Sequence, residues 1–352
     1  MFSALPFGYM FLMVMSVGTF LSISSVHWLG IWAGLEINLI GFLPLLVYQK
    51  SALESESAVK YFIVQALGSS LLIFGSLSSF GVSFTWDVFS RGENLETFGL
   101  LMMLSGLCMK LGLFPFHYWL PSVMAGLPWP TCLLLATWQK IAPLFLMVCL
   151  LELSEYYMLI CFLCVVSAGS SLVGGLGGMN QTQIRALLAY SSIGHLGWMV
   201  CAVLHSEWSM KFYLLVYIVI SLCMFFSLWK SDLSTMKDID SLKMNKVNQM
   251  NIMLLLLSLG GLPPLLGFVS KWSVILVGTS NPWLPLLLVL IVGSLMSLFY
   301  YLTLFFSVFV SSVKGEVDGK MNKEGEMTLV LAVILNIFGG VFLLMNGLIF
   351  LL

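Results

Sequence analysis

Leu259-Gly-Gly-Leu-Pro-Pro-Leu-Leu-Gly-Phe-Val-Ser-Lys-Trp272 lies in the middle of a hydrophobic run from Asn251 to Gly278. The run is too long and too little alternated for a barrel strand, so it reads as a membrane-spanning helix. Yet Gly260, Gly261, Pro263, Pro264 and Gly267 cannot sustain one, because proline lacks the N–H and collides with the preceding turn. A span interrupted between Gly260 and Gly267 leaves backbone groups unpaired inside the bilayer. Such backbone survives only where it faces protein or water. Lys271 follows directly. A broken helix with a lysine beside the break sets the reading of the whole chain.

Two further strings have the same character. Lys110-Leu-Gly-Leu-Phe-Pro-Phe-His-Tyr-Trp-Leu-Pro121 interrupts, at Pro115, a run that starts near Thr97. Pro115 frees the carbonyl of Leu111. In Ala136-Thr-Trp-Gln-Lys-Ile-Ala-Pro143, Pro143 frees that of Gln139, next to Lys140. Around these strings the composition is lipid-adapted: 60% of the 352 residues are apolar and 9% charged, with a mean hydropathy of +1.02. A soluble domain carries about 25% charged residues. This excludes a soluble enzyme, a secreted disulfide scaffold and a disordered chain. The net charge of −1 offers no basic field, which excludes a nucleic-acid partner.

The fold class expected is an all-α polytopic membrane protein with about eleven transmembrane helices. The spans run Phe7 to Ser24, Trp28 to Val47, Ala58 to Phe80, from Thr97 through the Pro115 break, Thr131 to Leu150, Tyr157 to Gly175, Thr182 to Leu204, Phe212 to Trp229, Asn251 to Gly278, Trp283 to Val310 and Met327 to Leu351. No basic stretch precedes the first span, so it is expected to stay rather than serve as a removable signal. The side holding the N-terminus collects Lys50, Lys60, Arg185, Lys230, Lys237, Lys243, Lys246, Lys314, Lys320 and Lys323, and the other only Arg91 and Lys211. That bias places the N-terminus on the inner side and the C-terminus on the outer. The interrupted fourth and ninth spans stand five helices apart. An odd offset inverts the second set, so residues 1–150 and 156–310 read as two inverted five-helix repeats of one membrane domain, with a final helix in 326–352.

Four charges fall inside apolar runs: Glu36, Lys110, Lys140 and Lys271. Each costs about 2.5–3.5 kcal/mol at the bilayer centre, so together they cost roughly 10–14 kcal/mol before pairing. The plain alternative is one structural ion pair plus two lysines reaching for an interface, Lys271 first among them as the nearest to a helix end. The functional reading is a proton path. Burial disfavours the charged lysine and a nearby carboxylate favours it, so a small move of one neighbour loads or unloads a proton.

The remaining motifs are weaker. Cys108, Cys132, Cys149, Cys161, Cys164, Cys201 and Cys223 all lie in apolar runs and read as inert buried thiols, the Cys161/Cys164 spacing included. His27, His117, His195 and His205 are scattered, without metal spacing. Gly174-Gly-Leu-Gly-Gly178 closes an apolar helix and reads as a tight turn, not a phosphate cradle.

The broken-helix strings, together with Gly177-Gly-Met-Asn-Gln-Thr-Gln-Ile-Arg185 and Ala189-Tyr-Ser-Ser-Ile-Gly-His-Leu-Gly-Trp198, resemble the subunit 2 family of mitochondrial NADH:ubiquinone oxidoreductase, respiratory complex I, within its antiporter-like subunits. The resemblance runs through nearly the whole chain in family order. It implies a proton-pumping subunit in which Glu36 pairs with Lys110, Lys140 is the central relay lysine and Lys271 belongs to the second broken helix. His195 enters as a further relay candidate against a plain packing histidine, and His117 as one against a structural cap. Ala186 stands where many relatives carry a basic residue.

The same resemblance implies no cofactor and no metal bound by this chain. NADH, FMN, iron–sulfur clusters and ubiquinone would belong to the rest of the complex, which is the enzyme. Implied partners are other complex I subunits, neighbouring antiporter-like and small membrane-arm subunits among them, and lipids including cardiolipin. The implied location is the mitochondrial inner membrane, N-terminus on the matrix side and C-terminus on the intermembrane-space side. Two readings from other classes stand beside it: a cation/proton antiporter subunit, and a structural membrane spacer without its own proton path.

Overall fold

The computed structural model describes residues 7–48, 51–83, 96–153, 157–231, 235, 246–279, 284–314 and 336–341. Their regular structure is helical. The helices are α1 (Gly8–Ser24), α2 (Trp28–Leu46), α3 (Ala52–Ser83), α4 (Glu96–Leu111), α5 (Trp119–Gly126), α6 (Trp129–Ala136), α7 (Trp138–Leu153), α8 (Tyr157–Gly178), α9 (Ile184–His205), α10 (Glu207–Ser231), α11 (Lys246–Gly260), α12 (Leu266–Thr279) and α13 (Leu284–Lys314). Residues 336–341 are also helical. Among the described residues seven helical segments are long and apolar enough to cross a membrane; α1 and the pieces of the two broken spans are shorter apolar helices. Most of the expected eleventh span lies outside the described residues. So do Lys50, Arg91, Lys237, Lys243, Lys320 and Lys323 of the loop charges. Large apolar side chains such as Phe20, Ile40, Phe74, Leu215 and Phe299 point outward, as a lipid-facing surface requires.

The two breaks share one hydrogen-bond pattern. At the end of α4 the N–H of Gly112 bonds the carbonyls of Cys108 and Met109, and that of Leu113 bonds Cys108. At the end of α11 the N–H of Gly261 bonds Leu257 and Ser258, and that of Leu262 bonds Leu257. Both are Schellman ends, which need a left-handed residue after the helix. Gly112 (φ 75°) and Gly261 (φ 79°) supply it. The break therefore begins before Pro115, at the glycine, and proline only prevents the helix from resuming at once. Side chains serve the other exposed groups. Gln65 Nε2 donates to the Lys110 carbonyl at 3.2 Å and Trp119 Nε1 to that of Met109 at 3.1 Å. Asn336 Oδ1 accepts from the N–H of Leu266 at the start of α12.

Four readings from the sequence change. The third helix begins at Ala52, not Ala58. Ser51 Oγ accepts the N–H of Glu54 at 3.2 Å and Lys60 pairs with Glu56 at 2.6 Å, so a polar first stretch is held helical by a cap and an ion pair. The fifth span is bent at Thr137, between α6 and α7, while Pro143 sits inside α7. The Pro143 ring crowds the carbonyl of Gln139, four residues before it, and the interruption at Thr137 lies two residues further toward the N-terminus. Gly174 to Gly178 are the last turns of α8 and not a turn of their own. A side chain at Gly174 would meet the Gly194 backbone of α9, and one at Gly175 the Gly293 carbonyl of α13, so these glycines permit close helix approach. Finally, Cys149 is exposed and Cys161 and Cys164 are half-buried, while Cys108, Cys132 and Cys201 are buried. An apolar run in lipid has an outer face too, which a sequence run does not distinguish.

Contacts divide the chain into Met1–Val166 and Ser167–Leu352. In the first unit α2 lies against α1 and α3, α3 also against α4 and α5, and α7 against α1, α4 and α6. Small residues bring α3 and α4 together: Gly68 lies opposite Gly106, and Gly75 opposite Gly99. In the second unit α10 lies against α9, α11 and α12, and α13 against α11, α12 and α9.

Candidate proton-transfer sites

The first unit gathers three of the four charges that fall inside apolar runs, Glu36, Lys110 and Lys140. Lys110 occupies the last turn of α4. Its stem passes Gly68 of α3, where a Cβ would stand 3.0 Å from Lys110 Cγ. Its Nζ lies 3.9 Å from Oε1 of Glu36 on α2, with side-chain exposures of 3% and 25%. That carboxylate oxygen is buried and accepts no hydrogen bond among the described residues. Lys140, 2% exposed, sits in the first turn of α7 just beyond the bend at Thr137. Lys110 and Lys140 both line one cavity of about 20 Å³, together with Tyr61, Gln65, Asn38 and Gln139. A water needs about 10–15 Å³ of such space and two or more polar partners, so this cavity, which both lysines line, can hold one.

The second unit has its own cluster. Lys271, 8% exposed, projects from α12 back to the end of α11, where Nζ donates to the Gly260 carbonyl at 2.8 Å. It does not reach for an interface. It lines a cavity of about 10 Å³ with His195, Ser191, Ser294, Ser297 and Tyr301. His195 is buried, its Nδ1 2.9 Å from the hydroxyl of Tyr213, and its ring is tilted by 47° against that of Tyr217. Which partner carries the proton depends on the tautomer.

His117 is not brought to these cavities. It lies in the linker between α4 and α5, buried among Phe114 and Tyr118. Its carbonyl accepts the N–H of Leu120, which is a structural turn. Among the described residues no cluster of three or more His, Cys, Asp or Glu side chains has metal-holding geometry.

Sequence reasoning missed the neutral polar wall: Asn38, Gln65 and Gln139 in one cavity, Ser191, Tyr213 and Tyr301 around the other. It also missed Glu54, which is buried at the start of α3. A search for charges inside apolar runs does not flag amides and hydroxyls, and Glu54 stood in a stretch read as a loop. The usable signal was that Asn38 and Gln139 lie two and one residues from Glu36 and Lys140.

A family model described as the transmembrane part of NADH:quinone oxidoreductases and Mrp antiporters matches residues 25–297. NADH-ubiquinone oxidoreductase chain 2 of Locusta migratoria is 39% identical over 302 residues, 86% of this chain and 85% of that one. The chain 2 protein of Anopheles gambiae is 41% identical over 305 residues, 85% of each. In the solved structure of respiratory complex I from Thermus thermophilus with bound Aureothin, one chain superposes with a TM-score of 0.83 at 27% identity, covering 95% of this chain and 77% of its own.

Proposed function

The chain belongs to the NADH:quinone oxidoreductase/Mrp antiporter family as an antiporter-like membrane subunit of respiratory complex I, and on that premise we propose that Glu36, Lys110, Lys140 and Lys271 carry a proton relay within it. The observation that carries this reading is the cavity that Lys110 and Lys140 share beside the Glu36–Lys110 pair. A proton taken up by Lys140 raises the positive charge beside Lys110, whose attraction to Glu36 then competes with repulsion from Lys140. Lys110 relaxes by releasing its proton to water or by parting from Glu36. His195 acts with Lys271 in the second cluster.

The wider reading follows the same premise. The chain has eleven membrane helices, and its two halves are inverted repeats with broken helices four and nine. The matched Schellman ends at Gly112-Leu113-Phe114-Pro115 and Gly261-Leu262-Pro263-Pro264 support this. Its place is the mitochondrial inner membrane, N-terminus toward the matrix, beside other antiporter-like and small membrane-arm subunits and lipids such as cardiolipin. Electron transfer from NADH through FMN and iron–sulfur clusters to ubiquinone takes place in other subunits.

The test is Lys140→Ala in the assembled complex. Proton translocation, and with it coupled NADH:ubiquinone turnover, is expected to drop on the order of 100-fold, the scale of a lost acid–base group. Parental pumping in assembled Lys140→Ala complex defeats the relay.

A further inference from the structure

Asn38 and Gln139 hold each other across the first cavity. Asn38 Nδ2 donates to Gln139 Oε1 at 2.8 Å, and Gln139 Nε2 donates back to Asn38 Oδ1 at 3.2 Å. Gln139 Nε2 also stands 3.4 Å from Met15 Sδ on α1. Turning both amides over together exchanges the two bonds and leaves the pair intact, so the tie requires only that the two amides be oriented to match each other. Two bonds fix the relative orientation of the side chains, where one would leave a pivot.

The pair is not a by-product of helix packing. The helices packed most closely on α2 are α1 and α3, and those on α7 are α1, α4 and α6. The amides span the space between two helices that enclose a cavity. Asn38, 4% exposed, sits two residues past Glu36, and Gln139 directly precedes Lys140. Residues one or two apart on a helix point in different directions. The tie therefore grips the backbone beside each charged residue. Being neutral, neither amide competes for the proton.

We propose that the Asn38–Gln139 pair is a positioning tie that fixes α2 against α7, so that Glu36 and Lys140 keep a set separation while the cavity loads and unloads. The proposal rests on the relay reading. It makes Asn38 and Gln139 positioning residues that act through Glu36 and Lys140.

The test uses the assembled complex and four variants: Asn38→Gln, Gln139→Asn, the exchanged double Asn38→Gln/Gln139→Asn, and Lys140→Ala. Each single variant mis-sizes the tie, and the double restores its overall length with the partners exchanged. Protons translocated by vesicle-reconstituted complex are expected to fall up to about 100-fold in each single variant, the scale of a misplacement by about 1 Å. In the double they are expected to return to within about twofold of the parent, because coupled residues recover together. Single variants that pump like the parent overturn the proposal, as does a double no better than its worse single. Loss of assembly in the single variants assigns the pair to folding and also overturns it. Lys140→Ala separates the two ideas. If it pumps normally, the relay itself falls; if it is inactive while the amide variants pump normally, only the tie falls.

Discussion

Glu36 and Lys110 face each other at 3.9 Å, carboxylate oxygen to ammonium nitrogen, from α2 and from the last turn of α4 before its break. The separation exceeds that of a short charge-assisted hydrogen bond, about 2.7–2.9 Å. A tight bidentate pair would be hard to open. A looser pair beside a water-sized cavity can be separated by a small shift of either helix, as the proposed relay would require of it.

Glu36→Gln leaves the Lys110 ammonium buried without a counter-charge. Breaking such a pair costs about 3–5 kcal/mol when the remaining charge stays, so Lys110 is expected to shed its proton instead. The complex is expected to assemble but to translocate protons on the order of 100-fold more slowly, with Glu36→Asp retaining part of the flux. Glu36→Gln/Lys110→Met should assemble at least as well as Glu36→Gln and remain unable to pump. Native electrophoresis and a proton-flux assay read both properties; normal flux in Glu36→Gln contradicts the role given to the pair.

Gly112 and Gly261 are expected to respond unequally to alanine. Each holds a positive φ, where a Cβ costs about 1–2 kcal/mol. At Gly112 the added carbon meets the flat of Trp119 at 3.3 Å; at Gly261 it meets Lys271 Nζ at 2.9 Å. Gly112→Ala should therefore lower thermal stability with a small effect on pumping. Gly261→Ala should do both, because it pushes Lys271 off the Gly260 carbonyl. Equal pumping loss in the two variants removes the link between Gly261 and Lys271.

The helices were legible because lipid imposes one rule on every residue of a span, so a run of apolar residues is itself the signal. The charges inside apolar runs were legible for the complementary reason: a lysine such as Lys140, followed by Ile141 and Ala142, stands out against its neighbours. Both breaks were placed well, and at the ninth span Gly261 was among the residues named; at the fourth the break was attributed to Pro115, where Gly112 ends the helix. Proline is conspicuous in a sequence, whereas the glycine that ends the helix acts through a backbone angle no residue name displays. Thr137 escaped notice because it lies six residues before Pro143, beyond the Gln139 carbonyl that the proline frees, and its own name marks no helix end. The cavity walls were illegible in principle. Asn38 and Gln139 become partners only when α2 and α7 are brought to either side of one space, and hydroxyls such as Tyr213 look like any other aromatic in an apolar run.

Lys271→Arg discriminates a proton carrier from a structural tie. Arginine keeps the positive charge and a donor for the Gly260 carbonyl, but it does not release its proton in proteins. If Lys271 only ties α12 to the end of α11, the variant should assemble and pump nearly as the parent does. If Lys271 loads and unloads, flux should fall on the order of 100-fold with assembly unchanged. Lys271→Met, which loses both the bond and the charge, should fail in flux and also lower thermal stability by about 1 kcal/mol through the unsatisfied carbonyl. The relay reading requires the Arg variant to pump poorly, and near-parental flux from it removes Lys271 from the path.

His195 can be separated from a packing role by keeping its shape and removing its nitrogens. His195→Phe preserves a planar ring against Tyr217, whose centroid lies 5.3 Å away, but strands the Tyr213 hydroxyl that now meets Nδ1 at 2.9 Å. To correct for that loss, His195→Phe/Tyr213→Phe removes both polar partners, a change that is often nearly neutral for stability when shape is kept. A histidine that only packs therefore predicts a double variant with parental stability and parental flux. A histidine that exchanges a proton with the cavity it shares with Lys271 predicts parental stability with flux reduced roughly 10-fold or more. Tyr213→Phe alone fixes the sign of the smaller effect. It leaves the imidazole in place but releases its orientation, so flux should fall less than in the double variant. Thermal midpoints and proton flux on the same preparations give both coordinates, and only the combination of unchanged stability with lost flux places His195 in the relay.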